Sequence, residues 1–576
     1  MAVCDKLGLK HNMINDYDGQ YVSNREAATA ADDCMHPSFS MPNAYCRADV
    51  HFQSLHDYSN NMQRASDLLV AVSSSAEVHK ERILDLAFSA SEELRIVAQE
   101  QQSLWLFDID NGCEVLNQAE YKRRFESFDP NLEEVIRLIS GGKPYDLPDL
   151  NENIESCTTQ KMNSESSRAN GVVFREPVWL VSMFMDVDKW SAAFSNVVSK
   201  AINLAVLNTG NKEIANGCVQ VMYAEFHNCS PLIKPRQMYF VRQSRQIDAN
   251  TWVVADISLE TIYPNPVLTS QRKPSGCVIQ ALQDGISTVT WVEHNAECNG
   301  FAHSMFKGLL ESGVVYNAKR WMSTLERQCD RIATLEAQDD SLNDEGPGAA
   351  RNSLLKLAER MIRHFNFNIF SNMESAWRAV NLPGADEILI KTSFNLDDLQ
   401  IPCPVVVSIA TSVWLPVKQI QVFNFLRNEH NRAKWDILSH GLEVQDVVRV
   451  SSARNSTDSV SVVSVGSCSK RGAITYLQES YSDSVACYLV YAPIDVPTMH
   501  RILQGGSADS VAILPSGLVV LPDGSSTQNS ILTLAFQVIE EELTTPQELP
   551  TSSLITACTL INETVSLIRT ALLLEA

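Results

Sequence analysis

Two charged residues stand out because each sits in an otherwise apolar run. Glu225 lies near the end of CVQVMYAEF, and Arg242 lies inside RQMYFVRQSRQI. Both runs are rich in Val, Tyr, Phe and Met and read as strands. Side chains alternate across a strand, so Val219, Val221, Tyr223 and Glu225 share one face, and Met238, Phe240 and Arg242 share another. If both faces point inward, opposite charges meet inside an apolar shell, where neither is tolerable alone. The chemistry of such a pair is recognition: it would orient the polar end of an otherwise apolar ligand. The alternative is that both lie at strand ends and reach water.

Catalytic signatures are missing. The chain has no GxSxG, no HExxH, no Walker loop and no GxGxxG after a strand, and Gly505-Gly506 lacks the Lys-Ser/Thr of a phosphate loop. No set of acid, base and nucleophile emerges, so the expectation is a protein that is not an enzyme and has no cofactor. Cys34, His36, Cys46, His51 and His56 could be imagined around zinc. Their spacing matches no common zinc pattern, and a polar tail that happens to carry Cys and His explains them as well.

The elements that must position the pair are mostly strands. After an amphipathic helix over Val78–Gln101, with Ile83, Ala87, Ala90, Leu94 and Val97 at helical spacing, comes a strand, LWLFD, and a short helix, AEYKRRF, capped by Asn117. Residues 146–167 read as a polar loop. GVVF reads as a strand. Two short helices follow, EPVWLVSMFMD and DKWSAAFSNVV, the second with Asp188 as N-cap. Six strands then run from AINLAVL to STVTWVEHN, separated by Gly, Pro and Asn turns. Short connections argue for an antiparallel meander. A long helix over Phe301–Ala337 carries Trp321 and Leu325 on its apolar face. Packing on the sheet explains that face by itself, but one helix on a curved sheet can also leave room for a ligand.

Length and composition set bounds. The 576 residues exceed one ordinary domain, and 45% apolar with 20% charged residues is enough for a real core. The net charge of −23 opposes non-specific phosphate binding. Fourteen cysteines without a CxxC pair, and a first stretch without a signal-peptide core, favour a reduced intracellular compartment. No apolar run is long enough for a transmembrane helix. Residues 1–77 read as a disordered acidic segment. QDDSLNDEGPGAA, residues 338–350, reads as an acidic Gly/Pro linker.

Residues 351–576 repeat the first half in outline. Pro274-Ser275-Gly276 precedes an Asp284-Gly285 turn, and Pro515-Ser516-Gly517 precedes Asp523-Gly524; each pair leads through an apolar strand to a long helix. Trp190 and Trp435 each sit in a short helix before a strand. Either the halves are diverged copies of one fold, or PSG and DG are common turn chemistry. The same strand order in both halves would favour the first.

The runs GVVFREPVWLVSMFMDVDKWSAAFSNVVSKA, QVMYAEFHNCSPLIKPRQMYFVRQSRQ, WVVADIS and AKRWMSTLERQCDRIA resemble the START lipid-binding domain of plant class IV homeodomain-leucine zipper transcription factors. SVWLPV, FLRNEHNRAKWDILSHG, VYAPIDVPTMH and SILTLAFQV resemble the START-adjacent domain of that family. The resemblance implies an α+β chain. Residues 78–337 would form a START-type helix-grip fold, a curved antiparallel sheet closed by a long C-terminal helix. Residues 351–576 would form the START-adjacent domain, a second α+β unit and a candidate helix-grip repeat. It implies an apolar lipid or sterol-like ligand in the first unit, with Glu225, Arg242, Tyr223, Phe240, Trp291, Trp321 and Leu325 as candidate contacts. It further implies a nuclear regulator of epidermal differentiation that forms homo- or heterodimers within its family. Residues 1–77 show no WFxNRR pattern, basic helix or leucine heptads, so the DNA-binding module of the family is not found here. A free-standing lipid carrier in the cytoplasm is the alternative, and an interaction protein with a side-chain-filled grip is a third reading.

Overall fold

The computed structural model describes residues 70–100, 103–109, 112–125, 162–211, 214–263, 270–283, 285–297, 302–336, 347–372, 377–380, 387–394, 405–439, 441–442, 444–452, 455, 458–466, 474–540 and 551–575. The expected disorder up to residue 69, the five Cys and His positions within it, and expected linker residues 338–346 lie outside the described residues. Residues 70–75, expected to be disordered, are helical, and Val72 and Ala76 are buried.

Helix α1 (Lys80–Gln99) buries Ile83, Ala87, Ala90, Leu94 and Val97, the stripe expected of it. The hairpin β1 (Trp105–Asp108) and β2 (Cys113–Leu116) follows, then α2 (Gln118–Phe125), where the Glu120 amide donates to Asn117 Oδ1 at 3.3 Å. Strand β3 (Asn163–Val173) is longer than expected and begins inside the expected loop. Its polar sequence shows no strand alternation. It forms because eleven residues find partners along β10 (Ile286–Glu297), a case of pairing overriding propensity. Helices α3 (Pro177–Met185) and α4 (Val187–Ala193) come next; Asp186, not Asp188, caps α4, accepting from the Lys189 amide at 3.1 Å. The meander β4 (Val198–Asn208), β5 (Val219–Phe226), β6 (Arg236–Asp248), β7 (Thr251–Ser258), β8 (Ser270–Arg272) and β9 (Ser275–Gln283) leads into β10.

The expected helix over Phe301–Ala337 is not continuous. Short turns and α5 (Lys307–Glu311) precede α6 (Ala318–Glu336). Gly313 at φ 70° breaks the run, and the Asn317 side chain restarts it by accepting from the Arg320 amide at 2.9 Å.

The second half opens with α7 (Pro347–Ile369), which starts inside the expected linker. Then come β11 (Arg378–Val380), β12 (Ile388–Phe394), β13 (Val405–Leu415), α8 (Gln419–Arg427) and α9 (Glu429–Trp435). Strands β14 (Val444–Ser451), β15 (Ser459–Val465), β16 (Ile474–Ser482) and β17 (Cys487–Ile494) form the next meander. Helix α10 (Val496–Leu503), capped by Asp495, was not legible in the sequence. Strands β18 (Ser516–Pro522) and β19 (Ser530–Glu540) and helix α11 (Thr551–Glu575) end the chain.

The two sheets have one topology. The first runs β1-β2-β3-β10-β9-β7-β6-β5-β4, with β8 paired to β10; the second runs β11-β12-β13-β19-β18-β17-β16-β15-β14. Two short helices follow β3 and also β13, and a long helix follows β10 and also β19. The shared strand order is the outcome that favours duplication of one helix-grip unit.

In the first grip, Met222, Phe240, Trp291, Trp321 and Leu325 share the inner core beneath α6, while Val253, Ala255, Val278 and Val292 meet α1 on the outer face. In the second, Leu489, Tyr491, Leu518 and Leu534 meet Ile561, Val565 and Ile568 of α11 on the inner face. The outer face of the second sheet packs under Leu357, Met361 and Phe365 of α7, in a core continuous with the inner core of the first grip.

Ion pairs bind the grips together. Arg320 of α6 is fully buried and donates to Asp483 at 3.3 Å and to the carbonyls of Val315 and Asn196 at 2.9 and 2.7 Å. Tyr488 donates its hydroxyl to Asp483 at 2.9 Å. Two and three turns along α6, Arg327 and Arg331 both reach Glu479, and Arg331 also reaches Glu359 at 3.5 Å. Gly524 (φ 78°) sits where an added Cβ would lie 2.3 Å from the Leu309 amide nitrogen, so only glycine permits this approach of the second grip to α5.

Two outcomes are expected. Arg320→Met leaves Asp483 buried without its cation and should lower stability by about 3–5 kcal/mol in urea unfolding; a loss under about 1 kcal/mol would show that the pair holds nothing. The second concerns pH. Burial depresses His227 and His294 to about 3, so their contribution is complete above 6.5 and is lost as pH falls toward 3. Burial raises Glu260 and Glu297 to about 7, so their contribution is complete below 4.5 and is lost as pH rises through 7. The two pairs offset each other between pH 4.5 and 6.5, where the native protein should be nearly flat. Glu297→Gln removes one offset, and stability should then fall on acidification by about 1.4 kcal/mol per pH unit across that window. A flat profile for this variant would contradict the assignment.

Candidate functional site

The inner face of the first sheet, closed by α6, gathers most of the expected site residues. Trp321 lies between two other indoles. Its ring is 6.2 Å from that of Trp190, at 5° between planes, and 5.3 Å from that of Trp291, at 11°. Phe194 and Phe226 close the sides at 5.1 and 5.4 Å from Trp321. Each tryptophan arrives on a different element: Trp190 on α4, Trp291 on β10 and Trp321 on α6. Leu325 follows one turn along α6, and Phe240 lies on β6.

The cradle is filled. Trp190, Trp291, Trp321, Leu325 and Phe240 keep at most 4% of their surface. A residue lining an open void would keep accessible area, so no open void touches these five side chains in this conformation. Two of the indole nitrogens, on Trp190 and Trp321, have no hydrogen-bond partner among the described residues.

Beside the indoles lies a buried polar floor. Arg242 stacks over Trp190 at 4.0 Å and clasps Asp256 of β7 with two bonds of 2.7 and 2.9 Å. Its third nitrogen donates to the Phe184 carbonyl at 2.9 Å. Asp256 also takes Arg272 Nε at 3.2 Å, and Arg272 forks onto Glu293 of β10 at 2.6 and 3.0 Å. The Trp291 indole donates to Glu293 at 2.8 Å. Two guanidiniums and two carboxylates thus alternate in a neutral chain. Burial pulls Arg272 down, but Glu293 and Asp256 outweigh it and its pKa ends raised. Burial pushes the neighbouring Cys277 thiol up, leaving it a neutral wall.

The expected pairing of Glu225 with Arg242 is corrected. Residues Met222, Ala224 and Phe226 of β5 face the inner core, so Glu225 and Tyr223 project from the opposite face. The register sets Glu225 against Gln237 and Arg242 against Gln220. On its own face Glu225 accepts from the Tyr223 hydroxyl at 2.7 Å, and Gln237 donates to that hydroxyl at 2.9 Å. Burial and then the Glu225 charge raise the Tyr223 pKa. The sequence reading took the wrong face of an all-buried strand, where alternation cannot decide. Asp256 and Glu293 carried the same signal as Arg242, one charge in an apolar strand, and were passed over. Arg272, in a three-residue strand, offered none.

Arg242→Met should cost about 3–5 kcal/mol in urea unfolding, because Asp256 loses a bidentate partner in a dry site. A loss within about 1 kcal/mol would mean that the floor is wet and the pair dispensable.

Comparison with known proteins adds the following. The START domain model matches residues 146–331, and the model of the PDF2-like, C-terminal domain matches residues 348–574. Homeobox-leucine zipper protein ANTHOCYANINLESS 2 of Arabidopsis thaliana is 33% identical over 518 residues, 86% of this chain and 60% of that protein. Homeobox-leucine zipper protein HDG12, also of Arabidopsis thaliana, is 33% identical over 508 residues, 86% of this chain and 69% of that protein. Human StAR-related lipid transfer protein 5 matches 39% of this chain and 97% of its own at 15% identity, with a TM-score of 0.25. The chain spans about 60% of the length of the first relatives it matches. Among the described residues no helix is long and apolar enough to cross a membrane. A START helix-grip unit followed by a PDF2-like unit of the same strand order, with this identity to homeobox-leucine zipper proteins, places the chain in the class IV homeodomain-leucine zipper family.

Proposed function

We propose that this chain is the lipid-responsive regulatory portion of a plant transcription regulator, nuclear and without catalytic activity of its own. The observation that carries the reading is the inner face of the START unit. An apolar aromatic wall meets a neutral chain of Arg242, Asp256, Arg272 and Glu293, suited to an apolar ligand with one polar end. Arg242, Phe240, Trp291, Trp321 and Leu325 are the proposed contacts; Tyr223 and Glu225, on the other face, are left out. DNA binding, dimerisation within the family and control of epidermal differentiation are proposed for the whole protein on the strength of its relatives.

The filled cradle adds a requirement. A ligand must displace Trp321, and α6 with it, from between Trp190 and Trp291. Binding then selects an open state that is rare in the free protein. At a hundredfold excess over Kd the ligand contributes about 2.7 kcal/mol of stability, enough to alter abundance. The same filled cradle favours a second reading, in which the first grip is a solid scaffold and the chain works through protein partners.

Native mass spectrometry separates the two. After incubation with vesicles of plant phospholipid and sterol, the native chain should retain one lipid per molecule, and Trp321→Ala should load faster. No retained lipid in either protein, with the variant folded by circular dichroism, would establish the scaffold reading instead.

A further inference from the structure

The second grip carries a polar lane that the first function does not use. Arg449, Ser461, Gln478, Tyr491 and Ser516 are register partners on five neighbouring strands, β14 to β18. They lie on the inner face, two residues along from Tyr476 of the apolar core. From Ser461 inward every member is buried. A row of polar side chains across an inner face is costly unless something satisfies it.

Above the lane sits Arg432 of α9, 2% exposed. Its Nε pairs with Asp436 at 2.8 Å, and its Nη1 donates to Gln478 Oε1. Its guanidinium lies 4.5 Å from the Tyr491 ring and 5.3 Å from the Trp435 ring. Three donors gathered here have no partner among the described residues: Arg432 Nη2, Trp435 Nε1 and the Tyr491 hydroxyl. The first grip has the same chemistry from other elements, with Arg242 held by a carboxylate and laid over Trp190. The tryptophans sit on equivalent short helices of the two grips, whereas the arginine comes from β6 in the first and from α9 in the second.

The lane is reached from outside. A cleft of about 510 Å³ opens between the α8–α9 corner and the strands, lined by Asn424, Arg427, His430, Arg449, Gln478 and Ser480. Gln478 is both a wall of this cleft and the acceptor of Arg432. The lining carries the guanidiniums of Arg427 and Arg449 and the carboxylate of Glu429; Arg449 pairs with Asp446, and Arg427 donates to Asn424 Oδ1 at 3.0 Å.

We propose that the second grip binds a carboxylate or phosphate group through Arg432, Trp435 and Tyr491, entering by the Arg427–Arg449 cleft. A guanidinium N–H, an indole N–H and a phenol that lie around Arg432 without partners among the described residues call for an acceptor, and the guanidinium favours an anionic one. The group is small, or is the head of an amphiphile whose tail stays at the mouth. Leu489, Leu518, Leu534 and Phe536 fill the rest of the inner face at 0–3% exposure. This site is independent of lipid binding in the first grip.

The test uses the full chain labelled with ¹⁵N-tryptophan, the Trp435 indole resonance being assigned with Trp435→Phe. The probes are hexanoate, hexyl phosphate, inorganic phosphate and neutral hexanol. A saturable shift of the Trp435 resonance with at least one anion, and none with hexanol, is the expected result. A response to hexanoate or hexyl phosphate without inorganic phosphate identifies an amphiphile head group; a response to inorganic phosphate identifies a free anion. Asn424→Trp, at an exposed position of the mouth, should weaken binding at least tenfold with the other indole resonances unmoved. The proposal is overturned if no anion gives a saturable shift, if hexanol acts as well as hexanoate, or if Asn424→Trp binds like the native chain.

Discussion

Helix α6 serves two cores at once, and the molecule is organised around that fact. Trp321 projects from it into the first grip, between Trp190 and Trp291. Its neighbour Arg320 projects into the contact with the second grip, against Asp483 and Tyr488. A helix moves as a body, so displacing Trp321 strains the Arg320, Arg327 and Arg331 contacts as well. The closing helix of a free-standing helix grip has solvent behind it. Here it has Glu479, Asp483 and α7.

This coupling bears on how a regulator could sense a ligand. Parallel indoles at 5.3 and 6.2 Å are worth about 0.5–1.5 kcal/mol per pair beyond their buried area, and breaking buried ion pairs costs more. An apolar ligand must offset both by its own burial. That requirement makes the closed state dominant without ligand and links occupancy of the first grip to the docking of the second. The link is thermodynamic and reciprocal: whatever loosens the second grip from α6 also eases entry to the cradle.

Much of this was legible in the sequence, and the failures have physical causes. Helices with a clean apolar stripe, such as α1, were read within a residue or two, and the meander strands were found from their Val, Tyr and Trp content. Strand β3 was missed over most of its length because its polar side chains form a strand only by pairing with β10. Helix α10 was missed because VPTMHRIL is too short to show a period. The doubled fold was visible as an echo of PSG and DG turns, but only strand order could distinguish copying from common turn chemistry. At the site, Phe240, Trp291, Trp321 and Leu325 do share the inner core, whereas the partner of Arg242 was not read. Strands β5 to β7 are buried on both faces, so hydrophobicity no longer reports which way a side chain points. Register decided it, and register is a property of the whole sheet.

Hydrogen exchange on the full chain, with and without lipid vesicles, tests the central claim most directly. If α6 couples the grips, ligand should change protection both in Ala318–Glu336 and in the 479–488 segment that holds Glu479, Asp483 and Tyr488. A change confined to the first grip, with the 479–488 segment unaltered, would contradict it.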